Sequence, residues 1–462
     1  MDSRYPVPVS IALLVACLAC APLAAQEEPR SLTLAEASAL AAERNAGIAA
    51  MRLRVDEMRR RDEIAFTSYL PRVETWVNYI VNDNTQGILI PGGSLGTFPG
   101  LGQFPPADTS IPQGGTDLFL TFTTVAQPLT HFFMIREGRG VARADVAAAE
   151  AELLGARQDV ELGVLQAYAG LLIARRGVDV AQARVDAAEE RTGYRAVAVA
   201  SGSAAQIAER VARVRWLEAR QTLLERESEV DDIEYTLADV LGLAPGAALS
   251  LAEPEPLDVT PDALVVYVAA SERANAEVRE SEALVRKAQH GVGAARAAYI
   301  PEVGLLGAHI YQSSAPFFPK NTFGFGISGK WTILDFGARG NTIRERRAQL
   351  GQAELGLDIS RTRARGEVEA AYRRLERARQ QVDLAREANV LRTEAARLRA
   401  LQAEQGYGVP ADALDARADR LEADLDSLRA ELGYRIAWLE LRKAAGLIGP
   451  ESTITGGAGA GS

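Results

Sequence analysis

The chain has 462 residues, of which 47% are hydrophobic and 24% are charged, a composition typical of folded proteins rather than disordered ones. The formal net charge of −10 at pH 7 argues against a nucleic-acid partner. The three histidines are scattered and the two cysteines, Cys17 and Cys20, both lie near the start. Metal-site spacing is therefore absent, and neither a metal nor a cofactor is predicted.

Residues 1–25 have the features of a secretory signal peptide. Arg4 supplies a positive charge, an apolar run covers 9–20, and small residues precede Gln26. A lipoprotein signal is the alternative, because the residues before Cys17 resemble a lipobox and cleavage there would leave Cys17 acylated. Continuation of the apolar run beyond Cys17 favours cleavage after residue 25.

The first half of the mature chain alternates between helical and extended patterns. Thr33 and Glu36 have capping-box spacing, which predicts a helix that runs to about Thr67, before Pro71. Beyond it we predict two strands at 73–81 and 117–127 on either side of a Gly- and Pro-rich surface loop at 82–116, long helices at 132–200 and 204–241, and a proline-rich connector at 246–261.

The second half follows the same order of elements. We predict a helix at 262–298, strands at 303–312 and 322–334, and a helical arm at 336–404 that contains no proline. After a glycine-containing break at 405–410, a final helix carries leucines at heptad spacing, the pattern of helices that pack side by side along their length.

A constant sequence offset relates the two halves. Gly202 matches Gly406 (406 − 202 = 204), and Gly242 matches Gly446 (446 − 242 = 204). Such an offset over a whole hairpin indicates an internal duplication. We therefore predict a signal peptide at 1–25, a first repeat at 31–245, a connector at 246–261, a second repeat at 262–448 and a flexible tail at 449–462.

These elements predict a mainly α-helical fold with a small β part. Long antiparallel helical hairpins need neighbours along their length. Four short strands would leave two open edges, whereas three chains would close a barrel of twelve strands, within the range of transmembrane β-barrels. A soluble sheet covered by helices is the alternative, but helices this long would extend far beyond a four-stranded sheet.

The order of elements, the duplicated half and several short motifs together resemble the TolC-like outer-membrane efflux proteins. The motifs are Tyr-Leu-Pro at 69–71, Tyr-Ile-Pro at 299–301, the strand-to-helix junction at 331–337 and the Asp-Ala-Leu-Asp-Ala segment at 412–416. The resemblance implies a homotrimer with a twelve-stranded barrel in the outer membrane of a Gram-negative bacterium and an α-helical barrel in the periplasm. It also implies docking onto a periplasmic adaptor that is linked to an inner-membrane pump or ABC exporter.

The resemblance assigns Asp412 and Asp415 to a pore constriction. In a trimer they would place six carboxylates around one mouth, which would attract cations and repel anions. Capping and the helix dipole alone could also explain aspartates near a helix start.

The two hairpin turns are the expected adaptor-docking tips, through Gly202, Ser203, Gly406 and Gly408; the alternative is that they are simple helix–helix turns. Gly408 stands where the family prototype carries a basic latch residue, and Ala208 stands where it carries the acidic partner. The contacts that close this chain are therefore expected to differ.

The sequence bears on three classes of function. The leading one is a passive exit duct for efflux or secretion, and the alternative is a structural periplasmic coiled-coil spacer or adaptor without its own pore. An enzyme is not predicted, because the sequence contains no nucleophile–base pairing, phosphate loop or metal cluster.

Overall fold

The computed structural model describes residues 31–85, 87–112, 114–244, 246–247, 249–313 and 319–448. The predicted signal peptide, with Cys17, and the predicted tail at 449–462 lie outside these residues. In the described residues the helices are α1 (Leu34–Arg44), α2 (Ala46–Thr67), α3 (Phe132–Ala200), α4 (Gln206–Val240), α5 (Leu264–Ala274), α6 (Ala276–Ala297), α7 (Ala338–Glu404) and α8 (Pro410–Ala444). The strands are β1 (Arg72–Val81), β2 (Gly87–Ile90), β3 (Thr97–Phe98), β4 (Gly102–Gln103), β5 (Thr109–Pro112), β6 (Asp117–Pro128), β7 (Glu302–Gln312) and β8 (Asn321–Lys330).

Two asparagines break the helices that were predicted to be continuous before each strand pair. Asn45 separates α1 from α2, and its side-chain oxygen accepts hydrogen bonds from the first backbone N–H groups of α2. Asn275 separates α5 from α6 in the same way. The single helices predicted at 33–67 and 262–298 are therefore wrong, because asparagine caps a new helix at the cost of continuing the old one.

The long hairpin arms are confirmed. Helix α3 has 69 residues and α7 has 67, each about 100 Å long at 1.5 Å per residue. Helix α7 begins at Ala338 rather than at 336, and β8 ends at Lys330 rather than at 334. Phe336 and Gly337 both have positive φ, 49° and 90°, which an α-helix cannot include. Strand β8 ends at Lys330 because this residue pairs with Glu302, the first residue of β7, which follows Pro301.

The internal duplication is visible in the backbone and in the core. Helices α4 and α8 both have 35 residues, and Gly202 and Gly406 both have φ of 77°. Several fully buried residues repeat at the 204-residue offset, namely Val164 with Val368, Leu171 with Leu375 and Leu237 with Leu441. Both halves therefore use the same positions to fill their cores.

The helices form a layer with α3 near its centre. Helix α3 packs against α2, α4, α6 and α8, and α7 packs against α6 and α8. Towards the hairpin turns the side-by-side order is α4, α3, α8 and α7. Among the described residues, α4 packs extensively only against α3, so the outer faces of α4 and α7 form the two lateral edges of this part of the chain.

Four antiparallel strands form one sheet in the order β1-β6-β7-β8. Residues of β1 pair with β6 from Arg72 opposite Ala126 to Val81 opposite Asp117. Strands β1 and β8 are the two edges, and every residue of β8 is exposed. A sheet with two unpaired edges presents backbone donors and acceptors that can pair with another chain.

The loop predicted at 82–116 contains regular structure that the sequence did not indicate. Strand β2 pairs with β5, and β3 pairs with β4 at its far end. The Asp108 carboxylate accepts a hydrogen bond from Gly92 N at 2.8 Å. Within 84–107 the sequence contains no charged residue, and the short ladders satisfy backbone groups in this segment.

The connector at 246–261 is held against both halves. The buried Tyr168 hydroxyl lies within hydrogen-bonding distance of the carbonyls of Leu32 and Ala252, which share its one proton, and Tyr434 donates to the carbonyl of Val259 at 2.9 Å. Arg435 of α8, which is largely buried, donates to the carbonyl of Glu255. Burial lowers the pKa of Arg435. The hydrogen bonds of Tyr168, Tyr434 and Arg435 join the connector to the helices.

Candidate functional site at the hairpin tips

Both hairpins reverse direction through a similar turn. Gly202 and Gly406 each adopt the left-handed conformation that ends a helix, which glycine adopts without steric cost. The N–H of Ser203 donates to the carbonyl of Ala198 at 2.9 Å, and the N–H of Tyr407 donates to the carbonyl of Gln402 at 3.0 Å. These bonds pair carbonyls that the last turns of α3 and α7 would otherwise leave free.

The structure explains why residue 408 is a glycine. A Cβ at this position would lie 3.2 Å from Ala403 N and 3.3 Å from the carbonyl carbon of Gln402. A side chain would therefore press on the backbone of α7 within the same turn. In contrast, a Cβ at Gly202 or Gly406 would meet nothing within 4 Å, and the positive φ is what favours glycine there.

Asp412 and Asp415 lie in the first two turns of α8, after Pro410 at the helix start. Both carboxylates accept hydrogen bonds from Arg191 of α3, and the bond to Asp412 Oδ1 measures 3.1 Å. The Arg191 side chain is 32% exposed, so this contact is partly shielded from water. It joins the two hairpins of one chain close to their turns.

A second arginine repeats this contact seven residues further from the turn. Arg184 of α3 donates to Asp419 at 2.6 Å and to Glu422 at 2.8 Å. Asp419 also accepts from Arg392 of α7 at 2.9 Å. Desolvation lowers the pKa of Arg184, but its hydrogen bonds to Glu422 and Asp419 outweigh this effect, so the pKa is raised overall.

These contacts change what the aspartates can do. A bare carboxylate is a strong attractor of cations, but a carboxylate beside a guanidinium is largely neutralised. Within one chain Arg191 serves both Asp412 and Asp415. The sequence alone indicates no partner for these aspartates, whereas in the structure Arg191 pairs with both of them and joins α3 to α8.

Sequence reasoning missed Arg191, although a signal for it exists. Arg184 and Arg191 are one heptad apart on α3, and the acidic residues on α8 are also placed at helical spacing. Matching them requires knowing that α3 and α8 are neighbours, and a single sequence does not state that.

The described residues contain no cluster of side chains suited to a metal ion. Among the helices in the described part of the chain, none combines the length and apolarity needed to cross a membrane.

The fold matches several solved channel structures. Over 89% of this chain and 85% of that one, it resembles the CmeC outer membrane channel of Campylobacter jejuni, with a TM-score of 0.70 and 15% identity. The outer membrane protein VceC of Vibrio cholerae matches over 89% of this chain and 96% of its own, with a TM-score of 0.68 and 16% identity. The MtrE outer membrane channel of Neisseria gonorrhoeae matches over 91% and 90%, with a TM-score of 0.68 and 20% identity.

No curated protein matches the sequence. The outer membrane efflux protein family model, however, matches residues 37–243 and 268–447. These two segments cover most of the chain and correspond to its two structural repeats. The chain belongs to the outer membrane efflux protein family.

Proposed function

We propose that the protein is the outer-membrane exit duct of a tripartite efflux or type I secretion system. It conducts substrates passively from an inner-membrane transporter to the exterior of a Gram-negative cell. The observation that carries this proposal is the combination of a four-stranded sheet with two unpaired edges and two long hairpins whose turns lie at one end. Neither part is complete in one chain.

Strand pairing supports a trimer. If β8 of one copy pairs with β1 of the next, three copies close a sheet of twelve strands. The four strands have 10 to 12 residues each, about the length that crosses a bilayer when tilted. Exposed aromatic residues on the edge strands, such as Trp76 and Phe325, suit contact with lipid or with a neighbouring copy.

The helical hairpins form the periplasmic part in this proposal. Arms of about 100 Å from three copies enclose a long tube, and Asp412 and Asp415 lie at its narrow end. The turns at Gly202, Ser203, Gly406 and Gly408 contact a periplasmic adaptor, which connects to a pump or ABC exporter. If the signal is of the lipoprotein type, acylated Cys17 adds an anchor in the outer membrane.

Two measurements test the proposal. We expect a trimer mass for the purified mature protein in detergent, and ion conductance after reconstitution into planar bilayers. A soluble monomer without conductance would instead support the structural spacer. Pull-down of an adaptor by the wild type but not by a protein with both turns replaced would test docking separately.

A further inference from the structure

Two exposed apolar stripes at the edges of the helical layer have no partner within the described chain. The stripe on α4 consists of Ile207, Val214, Leu217, Leu224 and Tyr235. The stripe on α7 consists of Leu384, Leu391 and Leu398, which are spaced by seven residues. Each of these side chains is between 47% and 67% exposed. Heptad spacing on a free face is the pattern of a helix that packs against another helix.

We infer that the outer face of α4 packs against the outer face of α7 in a second copy of this chain, in a register set by two bands of opposite charge. This inference rests on the proposed trimeric channel. It adds the residues that decide how neighbouring copies align, and the partner follows from charge complementarity between the two faces.

The internal duplication supplies the register. An offset of 204 residues maps α3 onto α7 and α8 onto α4. The contact between Arg184 and Asp419 inside one chain therefore maps onto Ala388 of α7 opposite Arg215 of α4 of a neighbour. The two helices are antiparallel, so towards the hairpin turns residue numbers rise along α7 and fall along α4. Each step up in the numbering of α7 therefore corresponds to one step down in the numbering of α4.

In this register an acidic band on α4 faces a basic band on α7. Residues 225–231 of α4 contain four carboxylates and one arginine, and they lie level with 372–378 of α7, which contain three arginines and one glutamate. Glu227 lies level with Arg377, and Asp231 lies level with Arg373, whose guanidinium is also 4.0 Å from the Glu369 carboxylate of its own helix. Glu227, Asp231 and Arg377 are exposed, and within the described chain none of these three side chains has an ion-pair partner.

Closer to the turns the polarity reverses. Residues 210–220 of α4 contain four arginines and one glutamate. Asp383 of α7 lies level with Arg220, and Glu387 lies one residue from the level of Arg215. Glu394 lies close to the level of Arg210, but it already accepts hydrogen bonds from Arg397 of its own helix. The two α7 arginines in this region, Arg386 and Arg392, already bond to carboxylates of α8 in their own chain.

Two charged bands of opposite polarity fix the alignment of α4 with α7 better than an interface of uniform side chains would. A slide of α4 along α7 by the length of one band would place like charges opposite each other, which is unfavourable. The apolar stripes supply contact area that tolerates a slide of one heptad, because their side chains are alike. The charged bands therefore decide the register, while the stripes stabilise the contact.

Cysteine crosslinking tests the register directly. We expect that Glu227→Cys combined with Arg377→Cys gives covalently linked copies after treatment with a short thiol-reactive crosslinker. The matched control combines Glu227→Cys with Glu387→Cys, which lies ten residues further along α7, about 15 Å away. Each single-cysteine variant measures background linkage, because the protein cleaved after residue 25 contains neither Cys17 nor Cys20.

A charge swap tests the energetics. Glu227→Arg with Asp231→Arg should lower the trimer fraction in detergent at low salt, and adding Arg373→Glu with Arg377→Glu should restore it. Three results would overturn the inference and leave the proposed channel intact. They are equal crosslinking at the control pair, no crosslinking at the test pair, and no recovery of the trimer fraction after the charge swap. Absence of any oligomer in the wild type would overturn both.

Discussion

Replacing Arg191 by glutamine tests whether the tip contact controls the channel mouth. In the wild type one guanidinium lies between Asp412 and Asp415 and joins α3 to α8. The substitution keeps a side chain of similar reach but removes its positive charge. It therefore leaves two carboxylates without their cation at the narrow end of the proposed duct.

The expected size follows from exposure. Arg191 is 32% exposed and the two carboxylates are 53% and 34% exposed, so each ion pair contributes about 0.2 to 1 kcal/mol. Loss of both weakens the contact in each chain by about 1 kcal/mol. If three chains open together, about 3 kcal/mol is lost, which shifts the ratio of closed to open states by about 100-fold.

Single-channel recording in planar bilayers is the suitable assay. We expect Arg191→Gln to raise the open fraction and to increase the preference for cations, which the reversal potential in a salt gradient reports. Arg195→Gln is the matched control, because Arg195 is an exposed residue of α3 whose side chain has no ion-pair partner in the described chain, and its loss changes the net charge equally. If both variants behave alike, or if Arg191→Gln behaves as the wild type in an assembled trimer, Arg191 does not control the mouth.

Four further predictions follow from the fold. Asp412→Ala with Asp415→Ala should lower cation preference in the same recordings, because Arg191 is then left unpaired; an unchanged reversal potential would remove both aspartates from the constriction. Asn275→Ala should lower the free energy of unfolding by about 2 kcal/mol, the sum of a helix cap and one hydrogen bond, and Asn45→Ala should do the same in the first half; equal denaturation midpoints would contradict this. Burial raises the pKa of the Glu161 carboxyl to about 7, although Arg442 opposes this shift. Because the folded pKa exceeds the unfolded value of 4.5, the stabilising effect of protonation is fully present below pH 4.5 and is lost as pH rises to about 7; Glu161→Gln should flatten that dependence in thermal unfolding at several pH values. Deletion of 85–112 should leave export intact, whereas failure of the variant to insert into the outer membrane would show that this segment does more than cover the surface.

The sequence predicts most of the fold because its signals are periodic and duplicated. Heptad leucines on α8 and the 204-residue offset identify the hairpins without any knowledge of contacts. The breaks at Asn45 and Asn275 escaped prediction, since one polar residue inside a helical pattern does not by itself end a helix. Each break becomes evident only when the same side chain is seen to bond to the end of α4 or α8.

The tip site was predictable only in part. Asp412 and Asp415 were identified from the resemblance, and their role remains a prediction. Arg191 lies more than 200 residues away in the sequence, and its contact depends on α3 and α8 lying side by side. The ladders inside 82–116 were missed because glycines and prolines mark turns but do not reveal which short segments pair.

The asparagine contacts also set an order of events during folding. Asn45 donates a hydrogen bond to the carbonyl of Val240, 195 residues later, and Asn275 donates to the carbonyl of Ala444, 169 residues later. Neither break can acquire its final bonds until the returning helix of its own half has been synthesised and folded back. The last turn of α8 is thus needed to complete the junction between α5 and α6, which lies near the middle of the chain. Loss of only the final residues of α8 would leave the Asn275 side chain without this hydrogen bond.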